Sequence, residues 1–225
     1  TRRSSSAASD VYKRQMDSSG AISSFAGPTI QELPAIASWD DLDPEVDLHE
    51  IEIPGEGTIW FGSRVFDEGD GTYRYEYAIF NLNVDRSIGA MRLPWSDGNP
   101  LNSSTHKAPE WHSGEQFSNT GWTMSTGGGE MVWSSEPFAS NEMANAIRWG
   151  NLQNITIVTT AQPEAGTVTL DMFKPGDFSS LFVDTQVPGN STVAINFPSG
   201  TPDALSPTVG TVSYTHLRAH ETPVN

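Results

Sequence analysis

The residues of this chain that could do chemistry cluster in one stretch near its middle. His106, Glu110, His112 and Glu115 bring two imidazoles and two carboxylates within ten residues. Zinc accepts imidazole nitrogen and carboxylate oxygen as ligands, so a metal site is one hypothesis. The spacing differs from HExxH, in which both histidines share one helix face, and Pro109 interrupts any helix here. The alternative is an aromatic loop in which His112 forms a local hydrogen bond.

Three tryptophans are candidates for contact with carbohydrate. Trp95, Trp111 and Trp122 lie in or beside segments rich in Ser, Asn and Gly. An exposed aromatic ring can stack on the apolar face of a pyranose, whereas a buried ring only contributes to the core. Because burial is the commoner fate of tryptophan, we expect at least two of the three to be buried.

An acidic run within residues 40–52 suggests calcium as a cofactor. Calcium takes six to eight oxygen ligands from a shaped loop, and the spacing here does not match the EF-hand pattern. The alternative is a solvated acidic face, and otherwise no cofactor is expected. The run consists of Asp40, Asp41, Asp43, Glu45, Asp47, Glu50 and Glu52.

Composition excludes several classes of function. The 225 residues carry a formal net charge of −16, which disfavours nucleic acid and anionic membranes as partners. There is no cysteine, so disulfides, zinc-thiolate sites and thiol nucleophiles are excluded. No apolar run approaches the roughly 20 residues of a membrane helix. No nucleophile elbow, phosphate-binding loop or dinucleotide fingerprint is present.

The elements that must position these side chains are strands. The run GTYRYEYAIFNLN from Gly71 to Asn83 predicts a strand. One side of the extended chain would carry Tyr73, Tyr75, Tyr77 and Ile79, and the other would carry Arg74, Glu76, Ala78, Phe80 and Leu82. TIWFGSRVF, residues 58–66, precedes this run, and the turn formers between them predict a hairpin. Pairing Asp67 with Thr72 would place Gly62 opposite Tyr77 and Arg64 opposite Tyr75.

Similar signals continue along the chain and predict an all-β fold. Residues 49–53 read as an edge strand, 95–120 as a long loop, 121–133 as a glycine-turn hairpin, and 154–160 and 166–173 as two further strands. Residues 141–150 read as one helical turn or an extended segment. Together they predict a two-sheet antiparallel β-sandwich, immunoglobulin-like or jelly-roll-like. The predicted inward positions are Phe61, Tyr77, Ile79, Trp133, Ile155, Ile157, Val168 and Leu170.

The two ends differ from the rest in composition. Residues 1–15 and 212–225 hold five of the twelve Lys and Arg residues but two of the 28 acids. Both strings resemble translated sequencing-adapter DNA, so we expect artefactual or disordered tails and an internal fragment of a longer protein. Between them we expect a lead-in at 16–45, the sandwich at 46–178, and the opening strand of a following immunoglobulin-like domain at 188–211.

Three stretches carry a family resemblance: GTYRYEYAIFNLNVDRSIGAMRLP, WHSGEQFSNTGWT, and ANAIRWGNL followed by GTVTLDMFKPG. In this order they resemble a poorly characterised β-rich module of large exported bacterial multidomain proteins, over about residues 59–176. The resemblance implies export to the outside or the cell surface and neighbouring domains in the same chain. It implies no established activity and no catalytic residues.

The sequence therefore predicts a non-catalytic extracellular β-sandwich module that acts as a spacer, an adhesion domain or a glycan-contact domain. Its expected partners are polysaccharide or cell-surface components and adjacent domains of its own chain. The alternative is an accessory or partial domain of a secreted hydrolase, with a metal site in the 106–115 loop. Paired carboxylates of a glycosidase need only proximity in the fold, so sequence does not decide between the two.

Overall fold

The computed structural model describes residues 33–110 and 116–189 in full and, ahead of them, the backbone of four short strands. All of these residues belong to one unit, Thr1–Ser191, and a second unit, Thr192–Asn225, lies outside the described residues. The strands before residue 33 form two antiparallel pairs, β1 with β4 and β2 with β3. Their bounds are Asp10–Val11 (β1), Arg14–Met16 (β2), Ile22–Phe25 (β3) and Ile30–Gln31 (β4).

Ten longer strands form two five-stranded antiparallel sheets. The first sheet has the order β5-β6-β7-β12-β9 and the second has the order β10-β11-β8-β13-β14. This arrangement confirms the predicted all-β, two-sheet sandwich. The bounds are Asp47–Ile53 (β5), Gly57–Asp67 (β6), Tyr73–Asn81 (β7), Ile88–Pro94 (β8), Leu101–Lys107 (β9), Thr123–Gly127 (β10), Glu130–Ser134 (β11), Asn151–Thr159 (β12), Pro163–Met172 (β13) and Ser180–Pro188 (β14).

The core lies between the sheets and is built mainly by alternate residues of β6, β7, β8, β11, β12, β13 and β14. All eight predicted inward side chains are buried, with exposed fractions of 2% or less. Burying a large apolar side chain contributes about 1.5–3 kcal/mol, so a core of this kind holds a sandwich without disulfides. Two tyrosines reach through it to backbone carbonyls: Tyr75 Oη donates to Ala161 O (2.8 Å) and Tyr77 Oη donates to Gln186 O (2.9 Å).

The central hairpin is present, but its predicted register is wrong by one residue. Asp67 pairs with Tyr73 rather than Thr72, so Gly62 faces Ala78 and Arg64 faces Glu76. The loop is longer than predicted because its own side chains close it. Asp70 Oδ1 accepts hydrogen bonds from the Thr72 amide and hydroxyl, at 3.0 and 2.6 Å. This bonding holds the pKa of Asp70 below its usual value.

A short helical segment covers part of the outer face of the first sheet. It consists of a 3₁₀ helix, Ala35–Ser38, followed by α1, Trp39–Leu42, and we call residues 35–42 the helical cover. Ile36 is buried against Trp60 and Phe80 on the outward side of β6 and β7. Gly62 lets the Trp39 ring of the helical cover lie against β6, since a Cβ at residue 62 would lie 2.9 Å from that ring.

The expectation of a continuous loop from 95 to 120 is also wrong, because β9 lies within it. This strand is an edge of the first sheet and pairs with β12. Its residues, LNSSTHK, are mostly polar, and this weakens the alternation by which strands are recognised. At the other end, the second sheet continues to Pro188, beyond the predicted domain end at 178. Residues 190–211 of the predicted following domain lie outside the described residues.

Residues 141–150 form neither a helical turn nor a continuous extended segment, since turns at 142–143 and 149–150 flank the stretch around Ile147. Ile147 forms an isolated antiparallel bridge with Ile88 at the start of β8. Asn81 fixes the neighbouring turn, since its Nδ2 donates to the carbonyls of Val84 and Ile147, both at 2.9 Å. Across the described ranges, the helices are too short for any of them to span a membrane.

Candidate functional site

A cleft of about 500 Å³ opens on the outer face of the second sheet. Its floor is one row of side chains across four neighbouring strands: Thr123, Ser134, Ala90 and Asp171. Cross-strand partners point to the same face of a sheet, and three of these four side chains are small. The floor is therefore low, and the chain segments beside it stand above it as the walls of the cleft.

An aromatic pair forms one wall of the cleft. The rings of Phe138 and Phe173 meet edge to face, with centroids 5.4 Å apart and an interplanar angle of 90°. Phe173 is buried and Phe138 is half-buried, so part of the wall is open to solvent. Gly89 makes room for Phe173, since a Cβ there would lie 3.1 Å from its Cα.

Two carboxylates contribute to the polar side of the cleft. Asp171 Oδ1 accepts hydrogen bonds from Arg92 Nη2 and from Ser180 Oγ, both at 2.8 Å. The hydrogen bond to Asp171 raises the pKa of Arg92 above its usual value. Glu136 is exposed, and its Oε2 accepts from Asn141 Nδ2 at 2.5 Å. Both carboxylates are thus held in place as hydrogen-bond acceptors.

A buried polar chain supports the far wall of the cleft. The His106 ring stacks on Trp122 with centroids 5.0 Å apart, and its Nδ1 accepts from the Trp122 amide at 3.3 Å. Its Nε2 therefore carries the proton and donates to Gln153 Oε1 (2.8 Å), whose Nε2 donates to Asn145 Oδ1 (3.2 Å). Asn145 lines the cleft and donates to Thr120 O at 3.2 Å. Burial lowers the pKa of His106 below 6.5.

The predicted metal candidates are only partly within the described residues. His106 points into the sandwich with both ring nitrogens hydrogen-bonded to protein, and Glu110 is exposed. His112 and Glu115 lie outside the described residues. Within residues 33–110 and 116–189, no three His, Asp or Glu side chains come together as a metal site would require. A site that joins all four candidates stays a prediction.

Two of the three tryptophans predicted to contact sugar lie within the described residues. Trp95 and Trp122 are 4% and 7% exposed, and Trp122 Nε1 donates to Asn145 O at 2.6 Å. Neither ring offers the open face that sugar stacking requires. At least two of the three tryptophans are therefore buried, as expected. Trp111 lies outside the described residues.

The acidic run is partly neutralised by one arginine. Arg64 Nε donates to Asp43 Oδ2 at 2.8 Å, and its guanidinium also pairs with Glu45. The hydrogen bond from Arg64 holds the pKa of Asp43 below its usual value. The predicted calcium role of this run stays a prediction.

One row of side chains contains the hydroxyl, carboxylate and imidazole groups of a Ser-His-Asp catalytic triad. The groups contact one another in a different order from that of a triad. Ser63 Oγ lies 2.5 Å from Thr185 Oγ1, which donates to Asp47 Oδ2 at 2.8 Å. His49 Nε2 lies 3.0 Å from the other oxygen of Asp47. Nucleophilic catalysis requires the hydroxyl to contact the base. Here the buried Ser63 contacts Thr185 instead, so the row links the two sheets.

The sequence carries no local signal for the cleft or its aromatic wall. Phe138 lies in an irregular segment, and Phe173 lies at the end of a predicted strand. Residues 179–188 carry no predicted element, although LFVDTQV alternates clearly. That alternation puts Phe182 on the same side as Asp184 and Gln186, and the structure shows Phe182 72% exposed. The alternation was the signal that could have identified an aromatic side chain on the surface.

Comparisons with known proteins give little further information. No protein-family model matches the chain, and no curated protein matches it. Among solved structures, it is similar to a GH20 exo-β-N-acetylglucosaminidase from Vibrio harveyi in complex with N-acetylglucosamine. The sequence identity is 8% and the TM-score is 0.30, over 62% of this chain and 17% of that one. A likeness this distant does not bear on fold or function.

Proposed function

We propose that this protein is a non-catalytic β-sandwich module that contacts carbohydrate through the cleft. The observation that carries the proposal is the combination of surfaces there. Phe138, half-buried and backed by the buried Phe173, presents an apolar wall, while Ser134, Thr123 and Asp171 present hydroxyl and carboxylate oxygens. A pyranose has apolar C–H faces and a polar edge of hydroxyls, so it matches both surfaces at once. The volume is within the range of small-molecule sites.

The polar groups of the cleft fit the binding of sugar hydroxyls. Asp171 is held between Arg92 and Ser180, and Glu136 accepts from Asn141. Carboxylates positioned in this way can accept hydrogen bonds from sugar hydroxyls. The larger setting that we propose is a secreted or cell-surface protein with further domains, for which the support is the resemblance to exported bacterial modules.

Affinity gel electrophoresis with soluble β-glucan, xylan, mannan and glycol chitin tests the proposal. We expect the full chain to be retarded by at least one of them. Ser134→Trp fills the cleft from an outward position and should abolish the retardation. Ser103→Trp is the matched control, because Ser103 is exposed on β9 of the other sheet, and it should bind like the unmodified protein.

The outcomes separate the proposal from its rival. If no polysaccharide retards the protein, or if Ser134→Trp binds as well as the unmodified chain, the cleft is not a carbohydrate site. Release of reducing ends from any of the four polymers would identify a hydrolase and overturn the non-catalytic assignment.

A further inference from the structure

One aromatic side chain on the outer face of the second sheet has no packing role in the core. Phe182 on β14 is 72% exposed, while its neighbours Leu181 and Val183 turn inward to pack in the core. Burial of a phenylalanine side chain is favourable by about 1.5–3 kcal/mol, and that stabilisation is largely lost at Phe182. A single exposed aromatic residue is unremarkable by itself, so its position decides whether it has a role.

Strand register places Phe182 beside the cleft and on the same face. Phe182 pairs with Thr169, and Thr169 pairs with Arg92 on β8. Asp171, on the cleft floor, pairs with Ser180, so Phe182 is its diagonal neighbour across β13 and β14. Diagonal neighbours of this kind lie about 7–8 Å apart. Phe182 is therefore close enough for one ligand to contact it and the cleft floor together.

The charges of this face favour a neutral occupant. Arg92 lies in the same row as Phe182, two strands away across Thr169, and its guanidinium is paired with Asp171 at 2.8 Å and Glu130 at 3.7 Å. Asp184, two residues from Phe182, is exposed and accepts from Thr167 Oγ1 at 2.6 Å. The positive charge is compensated and acidic groups are in excess, so anionic sugars would be repelled.

We propose that Phe182 is a second sugar-binding subsite and that the ligand is a neutral oligosaccharide chain lying across the outer face of the second sheet. One ring of the chain occupies the cleft and a later ring stacks on Phe182. This inference rests on the proposed carbohydrate function and adds the ligand's length, charge class and direction across strands β8, β13 and β14.

Titration calorimetry with β-1,4-linked hexasaccharides of glucose, xylose, mannose and N-acetylglucosamine tests the subsite, with the monosaccharides followed by NMR. We expect the hexasaccharide that binds to do so at least about tenfold more tightly than its monosaccharide. Phe182→Ala should weaken hexasaccharide binding about tenfold, as expected for loss of one aromatic anchor, and leave the monosaccharide unaffected. Phe182→Trp should retain hexasaccharide binding.

Leu42→Ala is the matched control, since Leu42 is 71% exposed and belongs to the helical cover on the other sheet. It should bind every probe like the unmodified chain. Equal hexasaccharide affinity of Phe182→Ala and the unmodified protein would overturn the subsite, and so would equal affinity for one ring and six. A change in sedimentation of Phe182→Ala without a change in sugar binding would instead assign Phe182 to a contact between copies.

The test also separates this inference from the function on which it rests. If the hexasaccharide binds and Ser134→Trp prevents binding while Phe182→Ala does not, the cleft function holds and the second subsite is refuted. If no probe binds the unmodified chain, both are refuted.

Discussion

Replacement of Thr185 by valine should show how much the polar link between the sheets contributes to stability. Thr185 lies on β14 of the second sheet, and its hydroxyl contacts Ser63 and Asp47, which pair across β5 and β6 of the first. Valine keeps the shape of the side chain and removes both contacts. Ser63 is 2% exposed, so its hydroxyl would lose its partner in a place that water does not reach freely.

The magnitude follows from these contacts. A buried polar group left without a partner costs about 1–3 kcal/mol, and the bond to Asp47 is weakened by the exposure of that carboxylate. We therefore expect the free energy of unfolding of Thr185→Val to fall by about 2 kcal/mol. For a domain of this size that lowers Tm by about 4–8 °C. Urea denaturation followed by tryptophan fluorescence measures the first quantity, and calorimetry measures the second.

Thr167→Val is the matched control. Its hydroxyl also donates to an aspartate, Asp184 Oδ1 at 2.6 Å, but on the exposed side of the same β13–β14 hairpin. Water can replace that bond, so the change should stay within about 0.5 kcal/mol. If Thr185→Val is as stable as Thr167→Val, the link does not stabilise the sandwich and the reasoning is refuted.

Three further predictions concern pH, packing and metal. Burial lowers the pKa of His106 below 6.5, so as pH falls the unfolded chain protonates this imidazole before the folded chain does. The free energy of unfolding should therefore fall as pH drops below about 6.5. In urea titrations at several pH values, His106→Gln should lose this part of the pH dependence. Gly62→Ala forces a methyl group against the ring of Trp39 and should cost about 1–3 kcal/mol in urea denaturation, whereas Gly98→Ala, with 3.8 Å to its nearest neighbour, should cost far less. Elemental analysis of the purified full chain tests the predicted metal sites, and absence of bound zinc and calcium would remove both hypotheses.

The sandwich could be predicted because its signal is local. Alternation along each strand decides which side chains face inward, and Ile155, Ile157, Val168 and Leu170 follow that rule without help from distant residues. The same rule failed for β9, where inward positions such as His106 are polar and are satisfied by partners far along the chain.

The hairpin register needed information that alternation does not carry. A shift of one residue depends on how the loop closes, and Asp70 closes it through Thr72. With the register shifted, Gly62 is covered by Trp39 from the helical cover rather than by a ring of the next strand. That contact joins two segments whose relation is not visible in the sequence between them.

The cleft could not be predicted for a similar reason. Its floor takes one residue from each of four strands, and its aromatic wall joins Phe138 to Phe173 across 35 positions of sequence. None of these residues is unusual in its own segment. Only the order of the strands in the second sheet brings them together.

The helical cover makes the two outer faces of the sandwich unequal. It packs on the outward side of the first sheet at β6 and β7, whereas the cleft and Phe182 lie open on the second sheet. If the proposed site is the one that binds, each copy of the sandwich would engage a single polysaccharide chain. Tight attachment to a polymer surface would require several copies in tandem, whose combined avidity depends on the linkers between them.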